Sequence, residues 1–140
     1  MCNLKLTKSF FTKLNVEVNT DYQPTTATDL EISVQYKIEL FRHNHDEAKY
    51  QIIFKLVDLE ADQPLPYAIN IEMIGLFEAN SNFIKDKPRI LEINGASILY
   101  SSIREQVLTL TGRSAWGAFN LPTLDLHAQL LNSPEVKSNT

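Results

Sequence analysis

The sequence predicts an α+β domain: a four-stranded antiparallel sheet followed by a long helix and a short C-terminal helix. Two patterns carry the prediction. Apolar and polar residues alternate with a period of two through the first half, and a helical stripe replaces that alternation in the second. A third observation bounds it: 140 residues with 44% hydrophobic and 21% charged side chains supply one core and no more. A single domain over 1–132 and a frayed polar tail over 133–140 is the expected division.

The first strand is marked by Leu4, Leu6, Phe10, Leu14, Val16 and Val18 on one parity, with Lys5, Thr7, Ser9, Lys13, Asn15 and Glu17 on the other. Phe11 breaks the phase, which predicts a bend or bulge there. After a polar link over 19–29, the second strand alternates without interruption: Leu30, Ile32, Val34, Tyr36, Ile38 and Leu40 against Glu31, Ser33, Gln35, Lys37 and Glu39. A helical period would bury those polar residues, so one face is core and the other wet. Tyr50, Ile52, Phe54 and Leu56 mark the third strand, and Ile69, Ile71 and Met73 the fourth. The connections over 43–47 and 61–66 are rich in turn formers.

Beyond Phe77 the alternation stops, and Pro88 is suited to the first turn of a helix. Leu99, Ile103, Val107 and Leu110 fall on one stripe, with Arg104, Glu105 and Gln106 off it, and Gly112 is a natural stop. The following loop is dense in apolar residues: Trp116, Phe119 and Leu121. A short helix over about 123–131 is expected next, capped by Thr123 or Asp125 and ended before Pro134.

This arrangement leaves a surplus. The third and fourth strands carry Ile53, Val57, Ile74 and Leu76 on the parity opposite to their main core face, and one helix covers about one face of a sheet. Two readings are open: an accessible apolar surface for a partner, or a bulge near Ile53 or Ile74 that turns these residues inward. Trp116 and Phe119 have the same ambiguity, as a cap on the core or as the wall of an apolar groove.

Signals for other functions are weak. With 13 Lys and Arg against 17 Asp and Glu, the net charge is −4 and the basic residues are scattered, so nucleic acid is not an expected partner. Cys2, the sole cysteine, rules out an internal disulfide and a multi-cysteine zinc site, and a thiol so near the end is read as inert. No apolar run is long enough for a bilayer and the first residues do not resemble a signal peptide, so a cytoplasmic chain without membrane insertion is expected. His43, Asn44, His45 and Asp46 supply metal-ligand types, but without a nearby third histidine (His127 stands apart) they read as a solvated turn. Asp58, Glu60, Asp62, Glu72 and Glu78 read as solvated charges that discourage aggregation through sheet edges. No phosphate loop, dinucleotide fingerprint, nucleophile elbow or zinc-protease helix occurs, so neither enzymatic activity nor a cofactor is expected.

The run from Ile98 through Arg104-Glu105, the run from Arg113 through Trp116, Phe119 and Asn120-Leu121-Pro122, and Gly75-Leu76-Phe77 at the sheet's end together resemble the SecB-type protein-export chaperones over nearly the whole chain. The resemblance implies an ATP-independent holdase that binds unfolded polypeptide clients or preproteins in apolar grooves and self-associates to a dimer or tetramer. Carried over by position, Ile74, Leu76, Trp116, Phe119, Leu121, Leu124 and Leu126 would line the client site. Ile53, Val57, Leu99, Ile103 and Val107 would form the oligomer interface. Two departures bear on partners. Ser101-Ser102 stands where the family has a Pro-Tyr pair, and Asn70 stands at the acidic position used to contact the motor SecA, with Glu72 nearby. A SecB-like chaperone of a toxin-antitoxin pair is therefore an alternative to export. A hot-dog-like enzyme or small-molecule binder is another, although there the helix precedes most strands.

Overall fold

The computed structural model describes residues 4–23, 31–43, 45–79 and 88–126. Cys2, Asn44, His127, the tail over 133–140 and the expected second helix beyond Leu126 lie outside them. Four strands, β1 (Lys5–Val18), β2 (Ile32–Arg42), β3 (Lys49–Ala61) and β4 (Tyr67–Glu78), precede one helix, α1 (Pro88–Thr111). The sheet order is β1-β4-β3-β2 with every pair antiparallel. The last three strands thus form a meander, and β1 closes the far edge against β4. The longest inter-strand connection is the one that must join the sheet's two edges.

The irregularities fall where the two edge strands pair with their neighbours, and the pairing of the two central strands is regular. β1 slips register against β4 between Leu6 and Lys8 and again between Phe11 and Lys13. Each extra residue reverses the parity. Leu6 shares a face with Phe77, Phe11 with Met73, and Leu14, Val16 and Val18 with Ile71, Ile69 and Tyr67. Phe10, which the sequence groups with the core parity, lies opposite Ile74 on the other face. The phase break at Phe11 is therefore real, and it is the reason that Phe11 packs against the core while Phe10 stays 38% exposed. A third irregularity, between Gln35 and Tyr36, leaves Val57 without a β2 partner. Pairing between β3 and β4 is regular from Lys49↔Glu78 to Leu56↔Ile71, so no bulge turns Ile53 or Ile74 inward.

The core lies between α1 and one sheet face. Ile52, Phe54 and Leu56 of β3 and Ile69, Ile71, Met73 and Phe77 of β4 meet Leu91, Ala96, Leu99, Ile103 and Val107 of the helix. Two glycines allow this close approach. A Cβ on Gly75 would come within 2.9 Å of Leu99 Cδ2 and 2.6 Å of Phe77 Cε2, and one on Gly95 would overlap Ile52. Aromatic rings tie the layers together: Phe54 stacks on Tyr36 at 5.5 Å and on Tyr100 at 5.5 Å, and Tyr50 on Phe77 at 5.4 Å. Pro88 opens the helix and Gly112 follows its last residue, as the sequence indicates. Leu110 does not join the stripe. Steps of four residues carry the buried line from Ile103 through Val107 to Thr111, and Leu110 is 40% exposed. None of the described helices is long and apolar enough to cross a membrane.

Candidate functional site

The face of the sheet away from α1 is banded. Across its middle runs a charged row, in which Lys55 lies between Lys37 of β2 and Glu72 of β4, and Glu72 opposite Lys13 of β1. The Lys55 ammonium reaches Glu39 at 3.7 Å and Glu72 at 3.8 Å. The next row toward the β2–β3 turn is apolar on three of its four strands: Ile53, Ile74 and Phe10 stand side by side, with Glu39 of β2 opposite Ile53 at the end. Leu76 and Phe41 extend it, on either side of Gln51 in the following row. Ile53, Ile74 and Leu76 are half-buried, and no described element packs across them. Lys8 places its ammonium 5.7 Å from the Phe10 ring, so the apolar row has a cationic border at β1.

Beside this row, at the turn end of the sheet, is a depression of about 740 Å³. All four strands contribute, from Thr7 through Leu76 and Ile53 to Phe41 and Arg42, and His43, His45 and Lys49 form the rim. The rim histidines have structural work. His43 Nδ1 accepts the backbone N–H groups of His45 at 3.1 Å and Asp46 at 3.0 Å, which closes the turn. Lys49 lies 3.7 Å from Asp46. Among the described residues no three His, Cys, Asp or Glu side chains gather as metal ligands.

The loop after α1 occupies the other end. Thr111 is fully buried; its hydroxyl donates to Val107 O at 2.6 Å and accepts the Phe119 N–H at 2.8 Å. The Tyr67 hydroxyl donates to Gly117 O at 2.7 Å and accepts the Trp116 N–H at 3.0 Å. Gly117 has φ +78°, a left-handed conformation that a side chain would strain. The Tyr100 hydroxyl donates to Pro122 O, and burial pushes its pKa up to about 12, with Arg104 opposing and Tyr36 adding to the rise. Trp116 is 36% exposed, yet its indole N–H donates to Asn19 O at 2.9 Å and its ring meets Tyr22 edge-on at 5.3 Å.

The residues singled out in the sequence therefore divide. Ile74, Leu76 and Ile53 gather on the outer face, and Val57 is exposed on the same parity beyond the charged row. Phe119, Leu121 and Leu126 do not face solvent: they are buried in the chain's own core, with Leu124 packed against it. The reason is the anchoring of the loop by Thr111, Tyr67 and Tyr100, which folds it onto the helix side of the sheet. Trp116 remains at the surface, but roughly 30 Å of β4 separates its end from Leu76, taking about 3.3 Å per residue. One groove cannot include both. Leu99, Ile103 and Val107, placed at a subunit interface by the resemblance, are wholly buried under the sheet and have no surface to offer a partner.

Three contributors escaped the sequence reading. Phe10 was concealed by the bulges of β1, although the Phe10-Phe11 doublet was their signal. Phe41 lies one residue past the last position of the alternating run in β2. Arg42 continues the even, core-facing parity of that strand after Leu40, and a charged residue at an apolar position is the mark that could have found it.

Comparison with known proteins bears on the fold. A SecB-like chaperone from Mycobacterium tuberculosis, solved in complex with a ChAD peptide from the HigA1 antitoxin, superposes with a TM-score of 0.61 at 20% identity, covering 86% of this chain and 90% of that one. A Streptococcus agalactiae protein of unknown function matches with a TM-score of 0.52 at 13% identity, over 88% of this chain and 99% of that one. No protein-family model and no curated protein sequence matches. The four-stranded sheet with its long helix is thus a SecB-like fold.

Proposed function

We propose that this chain is a SecB-like chaperone that holds apolar stretches of unfolded polypeptide against the outer face of its sheet. The observation that carries the reading is the row Phe10-Ile74-Ile53 with Leu76, apolar side chains left accessible on a regular, centrally paired part of the sheet. Its work is binding rather than bond-making. A client gains roughly 25 cal/mol for each Å² of apolar surface withdrawn from water, and capture requires neither nucleotide nor cofactor. Work in the cytoplasm, and assembly to a dimer or tetramer, complete this reading. Since Leu99, Ile103 and Val107 are buried, assembly would use sheet edges and the exposed helix residues Ile98, Leu108 and Leu110 instead.

A second reading concerns the client. The SecB-like neighbour was solved with an antitoxin peptide, which favours an antitoxin over exported preproteins handed to SecA. Asn70 at the position of the family's acidic contact points the same way.

Light scattering of a denatured model protein diluted into excess chaperone tests the proposal. The chain should suppress aggregation without ATP, and Ile74→Glu should abolish most of the protection while leaving the urea midpoint nearly unchanged. Absence of protection by the unaltered chain would overturn it.

A further inference from the structure

The outer face of the sheet changes sign along its strands. At the end toward the β2–β3 turn, Lys8 stands beside Leu76, and Lys5 and Lys49 flank Glu78 one row further out. Glu39 and Glu72 are both engaged by Lys55, and Lys5, Lys8, Lys13 and Lys37 form no ion pair among the described residues. In a chain of net charge −4 this lysine-rich half runs against the overall balance. At the other end the exposed charges are Glu17 of β1 and Asp58 and Glu60 of β3, with no described Lys or Arg among them. Parity puts both ends on one face: Ala68 alternates with the buried Tyr67 and Ile69 as Ile74 and Leu76 do with Met73 and Phe77, and Glu60 pairs with Ser33, which shares its side of β2 with Lys37. Strand β4 joins the two ends. Leu76 and Ile74, bordered by Lys8 and Phe10, lead past Glu72 and Asn70 to Ala68, which lies opposite Glu17 and shares a second depression, of about 470 Å³, with Asp58 and Glu60.

From this polarity we infer that the outer face imposes a charge order on the polypeptide it holds. Carboxylates stand directly beside the apolar stretch, over Lys8 and its neighbours, and cationic side chains stand several residues further along, over Glu17 and Glu60. The length suits an extended chain laid along β4: from Leu76 to Ala68 is roughly 26 Å at ~3.3 Å per residue, the span of about eight client residues. Each contact between exposed charges is weak, so the order is enforced by their sum and fades with salt. Steering by the chain's net charge would instead favour cationic segments wherever their charges lay. The inference rests on the proposed chaperone reading and sharpens it, because a surface that sorted clients by hydrophobicity alone would be indifferent to the arrangement of their charges.

Fluorescence anisotropy with two labelled, end-blocked peptides of identical composition and balanced charge tests it: Glu-Glu-Leu-Phe-Leu-Ser-Gly-Ser-Lys-Lys, and the isomer in which the Glu and Lys pairs change places. At low ionic strength the unaltered protein should bind the first about fivefold more tightly, and in about 1 M NaCl, where the Debye length falls to about 3 Å, the two should bind alike. Lys8→Glu combined with Glu60→Lys should reverse the order of affinity, and Leu76→Ser should weaken both peptides equally. The comparison on the unaltered protein needs no variant, so the inference remains testable even if the exchanged protein fails to fold. Equal binding at low ionic strength, a preference that survives high salt, or one that the Lys8–Glu60 exchange leaves untouched overturns this inference and leaves the chaperone reading standing. Binding that Leu76→Ser does not weaken would place the segment elsewhere on the molecule and overturn it as well. If neither peptide binds, both readings fall.

Discussion

The two faces of this sheet use the same residue types to opposite ends. On the helix side Ile52, Phe54, Ile71 and Phe77 are sealed beneath α1, while on the other side their neighbours Ile53, Ile74 and Leu76 remain reachable. Composition does not separate the two sets, since isoleucine occurs in both. What separates them is strand parity, together with a single described helix that covers a single face. Apolar content in a strand therefore measures stability only after the covered face is known. The residue at the next position, equally greasy, is free to serve a partner.

Replacing one member of each set breaks or sharpens the comparison. Phe54→Ala, in the sealed set, should lower unfolding free energy by about 3–5 kcal/mol in urea titrations, because a fully buried ring between Tyr36 and Tyr100 leaves a cavity. Ile53→Ala, one residue earlier, should cost under about 1 kcal/mol and instead impair aggregation suppression. Comparable stability losses would show that the outer face is covered in solution. An intermediate effect is expected at the loop: Thr111→Val preserves shape but strips the buried Phe119 N–H of its acceptor, for a loss of about 1–3 kcal/mol.

Smaller still is the effect of Glu92. Its carboxyl is buried in the helix's early turns with Oε2 unpaired, and burial raises its pKa above the ordinary 4.5, with Arg89 only opposing the rise. The folded chain holds this proton more tightly than the unfolded one. The associated stability is complete below about pH 4.5 and is lost as pH climbs through the folded value. Glu92→Gln should therefore raise the urea midpoint near neutral pH, and the gain should vanish toward roughly pH 4. A gain independent of pH would refute that cause. The gentlest probe is the single tryptophan. Because Trp116 sits at the far end from the apolar row, peptide binding to that row should leave its emission almost unaltered, whereas a large shift would move the client to the loop.

Alternation made the sheet readable from sequence, because the central strands keep one parity from Tyr50 to Leu56 and from Tyr67 to Phe77, and the Ile53-Ile74-Leu76 surplus was visible as its violation. The edge strand was harder to read. Its two bulges reverse parity twice, so Phe10 and Phe11 exchanged sides without any change in composition. The order of the strands, with β1 beside β4, left no trace in local pattern. Phe119 and Leu121 resisted for another reason: whether a loop's apolar residues are lining or filling depends on tertiary anchors. The hydroxyls of Thr111, Tyr67 and Tyr100 that fix this loop read in sequence as ordinary polar atoms.

Gly75 and Gly95 seat the helix so low on the sheet that even one added carbon would collide. Seating this close leaves no slack between sheet and helix at these two positions. On the proposed chaperone role, a client would meet an outer surface that needs no rearrangement of the two layers beneath it, so the pace of capture would follow diffusion and competition for space.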